Sequence, residues 1–174
     1  TFDNCKTGDN KSFDEAFIRC KRFCENSNEV LENGFGIYLY GDKGTGKTHL
    51  TSCMANELIK QYKQVLFTNF FEISKSIRAT FKGSGNEIDT INKIANVDFL
   101  FIDDLGTETL NSMKFTELYK IINTRLLSGK TKTIISTNLD LKGLFKTYDE
   151  RLVSRFIGYY DIYRFYGDDI RLIK

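Results

Sequence analysis

Eight residues, Gly41-Asp42-Lys43-Gly44-Thr45-Gly46-Lys47-Thr48, constrain this chain more than any other stretch. They match the pattern G-x-x-x-x-G-K-[ST] at every position. An apolar run, Ile37-Tyr38-Leu39-Tyr40, precedes them, and a helical pattern opens at His49-Leu50. A buried strand that ends in a glycine-rich turn and re-emerges as a helix is the framework of a phosphate-binding loop. The glycines let the backbone curl until successive N–H groups converge on an anion, and the helix adds its positive N-terminal end. In that frame Lys47 reaches the β- and γ-phosphates and the Thr48 hydroxyl holds Mg²⁺. The loop, with His49 behind it, implies a nucleoside triphosphate site. Alone, it does not separate a kinase from a GTPase or a motor.

The remaining pattern alternates strand and helix. Ser12 to Cys24 predicts a helix, with Ser12 as N-cap, Glu15 closing a capping box, and Phe13, Phe17, Cys20, Phe23 and Cys24 on one face. Asn26-Ser27-Asn28 loosens that pattern, and Asn33-Gly34 turns into a strand at 36–40. Further helices are predicted at 47–62, 70–82, 87–96, 112–128 and 148–156, and further strands at 64–68, 97–102, 132–137 and 161–165. The first of these helices is expected to bury Leu50, Met54, Leu58 and Ile59, and 139–144 reads as a loop or single turn. Strands this apolar, separated by helices, argue for an α/β fold with a parallel sheet covered on both faces.

Two strand ends add chemistry. Phe99-Leu-Phe-Ile-Asp103-Asp104 carries an acid to the C-terminal edge of the sheet, where ligands of such folds bind. Asp103 can hold the Mg²⁺ shell opposite Thr48, and Asp104 stands where a second acid polarises an attacking water. Ile134-Ile-Ser-Thr137-Asn138 brings an amide to the same edge, able to hold that water or contact the γ-phosphate. Further on, Asp149-Glu-Arg151-Leu-Val-Ser-Arg155 sets two arginines at i and i+4 on one helix face. They read either as surface partners of Asp149 and Glu150, or as a cation offered to a neighbouring subunit's γ-phosphate, an effect worth ~10³–10⁵ in rate.

Length and charge narrow the class further. A chain of 174 residues is one domain on size, and its net charge of +2 is small. No apolar run approaches a membrane span. Nine basic and four acidic residues fall between Lys114 and Arg155, an excess suited to a polyanion or an acidic neighbour, or to solvated helix faces. Cys5, Cys20, Cys24 and Cys53 show no paired zinc-site spacing and read as reduced structural thiols of a cytosolic protein, with zinc or a disulfide as the alternative. The first residue is Thr1 rather than methionine, so the chain is read as a fragment or a processed product.

The order of these pieces resembles a known family. Thr1-Phe2-Asp3-Asn4, Gly41–Thr48 running into His49-Leu50, Phe101-Ile-Asp-Asp-Leu-Gly-Thr-Glu108, Ser136-Thr-Asn138, Glu150–Arg155 and Gly167-Asp-Asp-Ile-Arg171 together resemble AAA+ ATPases. Among them they resemble bacterial replicative-helicase loaders of the DnaC/DnaI type and the related IstB transposition helpers. The resemblance implies a P-loop NTPase (AAA+) three-layer sandwich on a five-stranded parallel sheet with a short or truncated C-terminal lid. It implies one AAA+ domain over 1–174, without the N-terminal helicase-binding region. ATP or ADP and Mg²⁺ are the implied cofactors, in the cytoplasm of a bacterium or encoded by a phage. Asp103 resembles the metal-binding Walker B acid, and Asp104 the neighbouring catalytic position. Asn138 resembles sensor 1, Arg155 the arginine finger with Arg151 as fallback, and Arg171 the sensor 2 arginine. Phe2 falls near the adenine.

The implied partners are the hexameric replicative helicase, single-stranded DNA and further copies of the chain. The helix at 70–82 resembles the insertion of the initiator and loader branch. Its Lys75, Arg78 and Lys82, interleaved with Phe71 and Phe81, suit single-stranded DNA, or make an ordinary wet basic face. Two other functions stay open: an IstB-like transposition helper acting on duplex DNA, and a nucleotide-gated binding module with negligible hydrolysis.

Overall fold

The computed structural model describes residues 1–5, 11–81, 86–107, 112–167 and 169. Five strands, β1 (Gly36–Gly41), β2 (Val65–Asn69), β3 (Phe99–Leu105), β4 (Lys132–Thr137) and β5 (Tyr160–Phe165), form one sheet in the order β2-β3-β4-β1-β5. Every neighbouring pair is parallel. All strand C-termini therefore share one edge, and β1, which feeds the glycine-rich loop, lies between β4 and β5.

Strand side chains alternate between two cores, as the two-residue period of a strand requires. Ile37, Leu39, Phe99, Phe101, Ile134 and Phe165 face one side, where α1 (Lys11–Glu25) and α3 (Lys47–Lys60) supply Phe13, Cys20, Cys24, Leu50, Met54 and Leu58. Tyr38, Leu100, Ile102 and Ile135 face the other. There they meet α4 (Phe70–Phe81), α5 (Glu87–Asn96), α6 (Ser112–Ser128), α7 (Leu141–Thr147) and α8 (Glu150–Tyr159). The result is the expected three-layer sandwich. Residues beyond 169, where the lid is expected, lie outside the described part.

Several local expectations are corrected. Ser12 is not an N-cap: it is buried in the first turn of α1, which already includes Lys11. Its hydroxyl donates to the Tyr166 carbonyl at 3.0 Å and accepts from the Tyr166 N–H at 3.1 Å, tying α1 to the end of β5. Asn26-Ser27-Asn28 does interrupt the helical pattern, as expected: α1 ends at Glu25 and a separate short helix, α2 (Ser27–Asn33), follows almost at once. Asn26 completes the turn before it, bonding the Arg22 carbonyl through both backbone N–H and side chain. Residues 141–147 form a helix rather than a single turn, since the Asp140 carboxylate caps it by accepting from the Gly143 N–H at 2.7 Å. Ile59 is 54% exposed, because the apolar face of α3 runs through Leu50, Met54 and Leu58 and leaves its last turn in solvent.

The charge count also changes meaning. Arg125 and Lys132, two of the nine basic residues between 114 and 155, are buried. The Arg125 guanidinium donates to the carbonyls of Ile94, Ala95, Val97, Asp98 and Lys132 and to the Thr133 hydroxyl, at 2.6–3.3 Å. It fastens the C-terminal end of α5 and the turn into β3 to the start of β4. Burial lowers its pKa to about 10, so it stays charged at neutral pH. Lys132 is spent on the carbonyls of Leu31 and Gly129. Arg125→Ala would take a donor from each of five carbonyls and open a cavity. The expected cost is about 3 kcal/mol or more in denaturant unfolding; an unchanged midpoint would reject this role.

Candidate functional site

The loop between β1 and α3 has the backbone that its glycines allow. Gly41 and Gly44 have φ of 136° and 76°, in the region that side chains with a Cβ avoid. A Cβ on Gly41 would strike the Phe165 carbonyl, and one on Gly44 would strike the carboxylate of Asp169. Thr45 braces the loop from within, its hydroxyl donating to the Asp42 carbonyl at 2.8 Å. Asp42 itself is anchored to β5 by its N–H on the Phe165 carbonyl at 3.2 Å.

Lys47 is 7% exposed and donates to the carbonyls of Gly41 and Asp42, at 2.8 and 2.6 Å. Burial pulls its pKa below the ordinary lysine value, opposed by the carboxylates of Asp104, Asp42 and Asp103. The ammonium is thus held inside the curl of the loop, where phosphate oxygens can take over from the two carbonyls.

The acids of β3 are fixed by hydroxyls from two other elements. One oxygen of Asp103 accepts from Thr48 at the start of α3, at 3.0 Å, and a short bond from Ser136 of β4. The Ser136 hydroxyl also accepts from the Asp104 N–H at 3.0 Å. Asp104 has φ of 56°, uncommon for a residue with a side chain, and the β3–β4 register shifts between Ile102 and Leu105. This bulge leaves the Asp104 side chain exposed at the strand end. Asn138 donates to it at 3.1 Å. Backbone strain of this kind, held by surrounding hydrogen bonds, is characteristic of functional sites.

These groups line a cavity of about 420 Å³ formed by Lys43, Gly44, Gly46, Lys47, Thr48, His49, Asp104, Thr107, Ser136 and Asn138. That volume suits a small-molecule ligand. Of the residues read from the sequence, the loop, Thr48, Asp103, Asp104 and Asn138 come together here. Phe2 does not line the cavity: it is buried in the core, edge-to-face with Phe17 at 5.4 Å. Arg155 is also elsewhere, on α8 against α6. Its guanidinium donates to Asn123 Oδ1 at 2.7 and 3.0 Å and to the Arg151 carbonyl, and lies 4.6 Å from the centre of the Tyr119 ring. Arg151 pairs with Asp149 at 2.9 Å. Lys75 and Arg78 line a separate groove of about 380 Å³ with Phe71, Ala79 and Lys114. Arg171 and Lys82 lie outside the described residues.

Sequence reading missed Ser136 and Asp169 as parts of the site. Ser136 stands inside a recognised tripeptide but looks like ordinary strand filling. Nothing local marks Asp169 as the carboxylate that abuts Gly44.

A phosphate loop at the end of an internal parallel strand, with an amide after the neighbouring strand and two acids on the strand beyond it, defines a P-loop nucleotide-binding domain. A family model described as IstB-like ATP binding protein matches residues 21–157, and the chain belongs to that family. The replicative helicase loader DnaC of Escherichia coli (strain K12) is 34% identical over 129 residues, 73% of this chain and 52% of that protein. DnaC of Buchnera aphidicola subsp. Acyrthosiphon pisum (strain APS) is 31% identical over 137 residues, 78% of this chain and 54% of that protein. The chain spans about half the length of these relatives.

Among solved structures, the replication initiator DnaA bound to AMPPCP and single-stranded DNA superposes with a TM-score of 0.81 at 27% identity. That match covers 97% of this chain and 50% of that one. The DnaC helicase loader superposes with a TM-score of 0.83 at 24% identity, over 95% of this chain and 96% of that one. The fold is an AAA+ P-loop domain, and no helix among the described residues is long and apolar enough to cross a membrane.

Ser136→Ala tests the unforeseen part of the site. It leaves the Asp103 carboxylate and the Asp104 N–H each one partner short, at an expected cost of about 1–3 kcal/mol in unfolding free energy. Metal-free ADP binding, which depends on the loop, should survive. Unchanged stability, or loss of that ADP binding, would contradict the assignment.

Proposed function

We propose that this chain is the ATP-binding and ATP-hydrolysing AAA+ module of a replicative-helicase loader, and that nucleotide controls its assembly and its grip on single-stranded DNA. The observation that carries the reading is the joining of Thr48, Asp103 and Ser136 by hydrogen bonds at the mouth of the phosphate loop, with Asp104 and Asn138 beside them. The relatives' role as helicase loaders supports the choice of partner.

The site residues fit a hard divalent cation. The Thr48 hydroxyl and Asp103 carboxylate are 3.0 Å apart, an oxygen donor set of the kind Mg²⁺ selects. When bound, Mg²⁺ would neutralise charge on the β- and γ-phosphate oxygens. The loop N–H groups and Lys47 hold the triphosphate. Asp104, aimed into the cavity by its bulge, orients a water for attack on the γ-phosphorus. Asn138 fixes the Asp104 carboxylate and reports on the same position. The departing ADP is stabilised by Lys47 and the helix N-terminus.

Arg155 belongs to a neighbour's site in this reading. Its contacts with Asn123 and Tyr119 hold it away from the chain's own cavity but leave it half-exposed on α8. The groove of Phe71, Lys75 and Arg78 is proposed to take single-stranded DNA. Phe71 is 58% exposed, and basic groups beside an exposed ring suit a sugar-phosphate strand with stacked bases. Lys75 is paired with Glu72 only through an exposed contact of 3.6 Å, which a phosphate can displace.

One other reading is kept in view, an IstB-like helper acting on duplex DNA with a transposase; the match to an IstB-like ATP binding protein supports keeping it. Affinity for single against double strands, measured on the same protein, separates the two: a preference for duplex would favour the helper.

Turnover of Mg-ATP is the first test. Asp103→Ala should abolish it, and full activity would reject the metal role. Specific activity should rise with protein concentration in the wild type and fall ~10³-fold or more in Arg155→Ala, the scale of an arginine finger. High activity in a dilute monomer, indifferent to Arg155, would sink the shared site. For DNA, Lys75→Ala with Arg78→Ala should flatten the salt dependence of single-strand binding by roughly 0.7 log units for each phosphate no longer neutralised. An unchanged slope would move the DNA site elsewhere.

A further inference from the structure

The fold gathers the chain's only histidine, which also lines the nucleotide cavity, and two of its four cysteines, which the nucleotide reading does not use. His49 and Cys53 lie four residues apart on α3 and so project from one face of the helix. The turn Phe2–Asn4 packs on α3 and delivers Cys5 to the same spot. The ligand atoms of Cys5, His49 and Cys53 all lie within 4.8 Å of one another. Both cysteines are buried and His49 is exposed, so the cluster is walled by protein on its sulfur side and open at the imidazole.

Packing alone brings them together. Phe2 is buried against Phe17, the Cys5 N–H donates to the Phe2 carbonyl at 3.2 Å, and the Cys53 thiol donates to the Thr1 carbonyl at 3.5 Å. Spacing along the chain does not reveal the cluster, because Cys5 lies far from the helical pair in sequence.

We propose that Cys5, His49 and Cys53 form a binding site for Zn²⁺. Two sulfurs and one imidazole are the donors that zinc selects, whereas Mg²⁺ requires the oxygens of the neighbouring Thr48 and Asp103. The i and i+4 pair supplies two ligands from a rigid helix, and the N-terminal segment supplies the third. A fourth, tetrahedral position falls to water on the exposed side. Binding displaces the thiol protons to solvent and leaves two thiolates on the metal. The ion would clip residues 1–5 to the helix that carries Lys47 and Thr48.

The test uses the whole chain, reduced, stripped with chelator and free of nucleotide, titrated with Co²⁺ as the optical substitute for Zn²⁺. One Co²⁺ per chain is expected, with thiolate-to-metal charge-transfer absorption and the visible bands of a tetrahedral ion, all bleached by Zn²⁺. Cys5→Ser and Cys53→Ser should each remove charge-transfer intensity. Each should weaken zinc binding by more than the ~10–100-fold typical of losing an outer-shell partner. Cys20→Ser, a buried thiol outside the cluster, should keep the full spectrum. Zn²⁺ should also raise the melting temperature of the wild type but not of the double variant Cys5→Ser/Cys53→Ser. Should the buried variants not fold, exposed His49→Ala carries the test through its own loss of affinity. Absence of stoichiometric binding by the reduced protein overturns the proposal, as do bands that survive the double variant.

Discussion

One carboxylate oxygen, on Asp103, accepts hydrogen bonds from Thr48 and Ser136, and the working edge of the molecule depends on that junction. Thr48 lies in the first turn of the helix after β1, Asp103 near the end of β3, and Ser136 near the end of β4. The oxygen therefore holds three elements in fixed register at the point where phosphates would sit. Parallel pairing makes this possible, because it sends every strand's C-terminal end to the same edge. The same edge carries the curl of the loop, the buried ammonium of Lys47 and the strained turn at Asp104.

The acids at the end of β3 have different surroundings. Asp103 is half-buried and held by two hydroxyls, which suits a fixed ligand for a cation. Asp104 is thrown outward by a bulge and touched by Asn138, which suits a group that positions water. A regular strand would send these successive side chains to opposite faces of the sheet. The left-handed backbone at Asp104 lets it line the cavity, while Asp103 is bonded to Thr48 and Ser136 of that lining.

Most of the architecture is legible in the sequence, for physical reasons. The loop stands out because its glycines answer a backbone requirement that few other sequences meet. The β3 acids stand out because they end an apolar run. Less visible are features that depend on distant partners. Nothing around Asp104 announces a positive φ, and Ser136 acquires its role only when β3 lies beside β4. Arg125 reads as surface charge until the carbonyls that enclose it are known. Ser12 looks like a helix cap because local pattern cannot show the Tyr166 backbone that it binds. Resemblance puts Phe2 near the base, while its ring is committed to the core against Phe17.

The central proposal is that the cavity is half of an interface, its groups binding phosphate, metal and water, and that Arg155, on α8 and held against α6, serves a second copy. Mixing two inactive variants tests this most directly. Arg155→Ala keeps an intact cavity and lacks the finger; Asp103→Ala lacks the cavity's acid and keeps the finger. The account expects the mixture to hydrolyse ATP well above the sum of its parts, because one of the two mixed interfaces is complete. A mixture as inactive as its components, at concentrations where the wild type turns over, would contradict it.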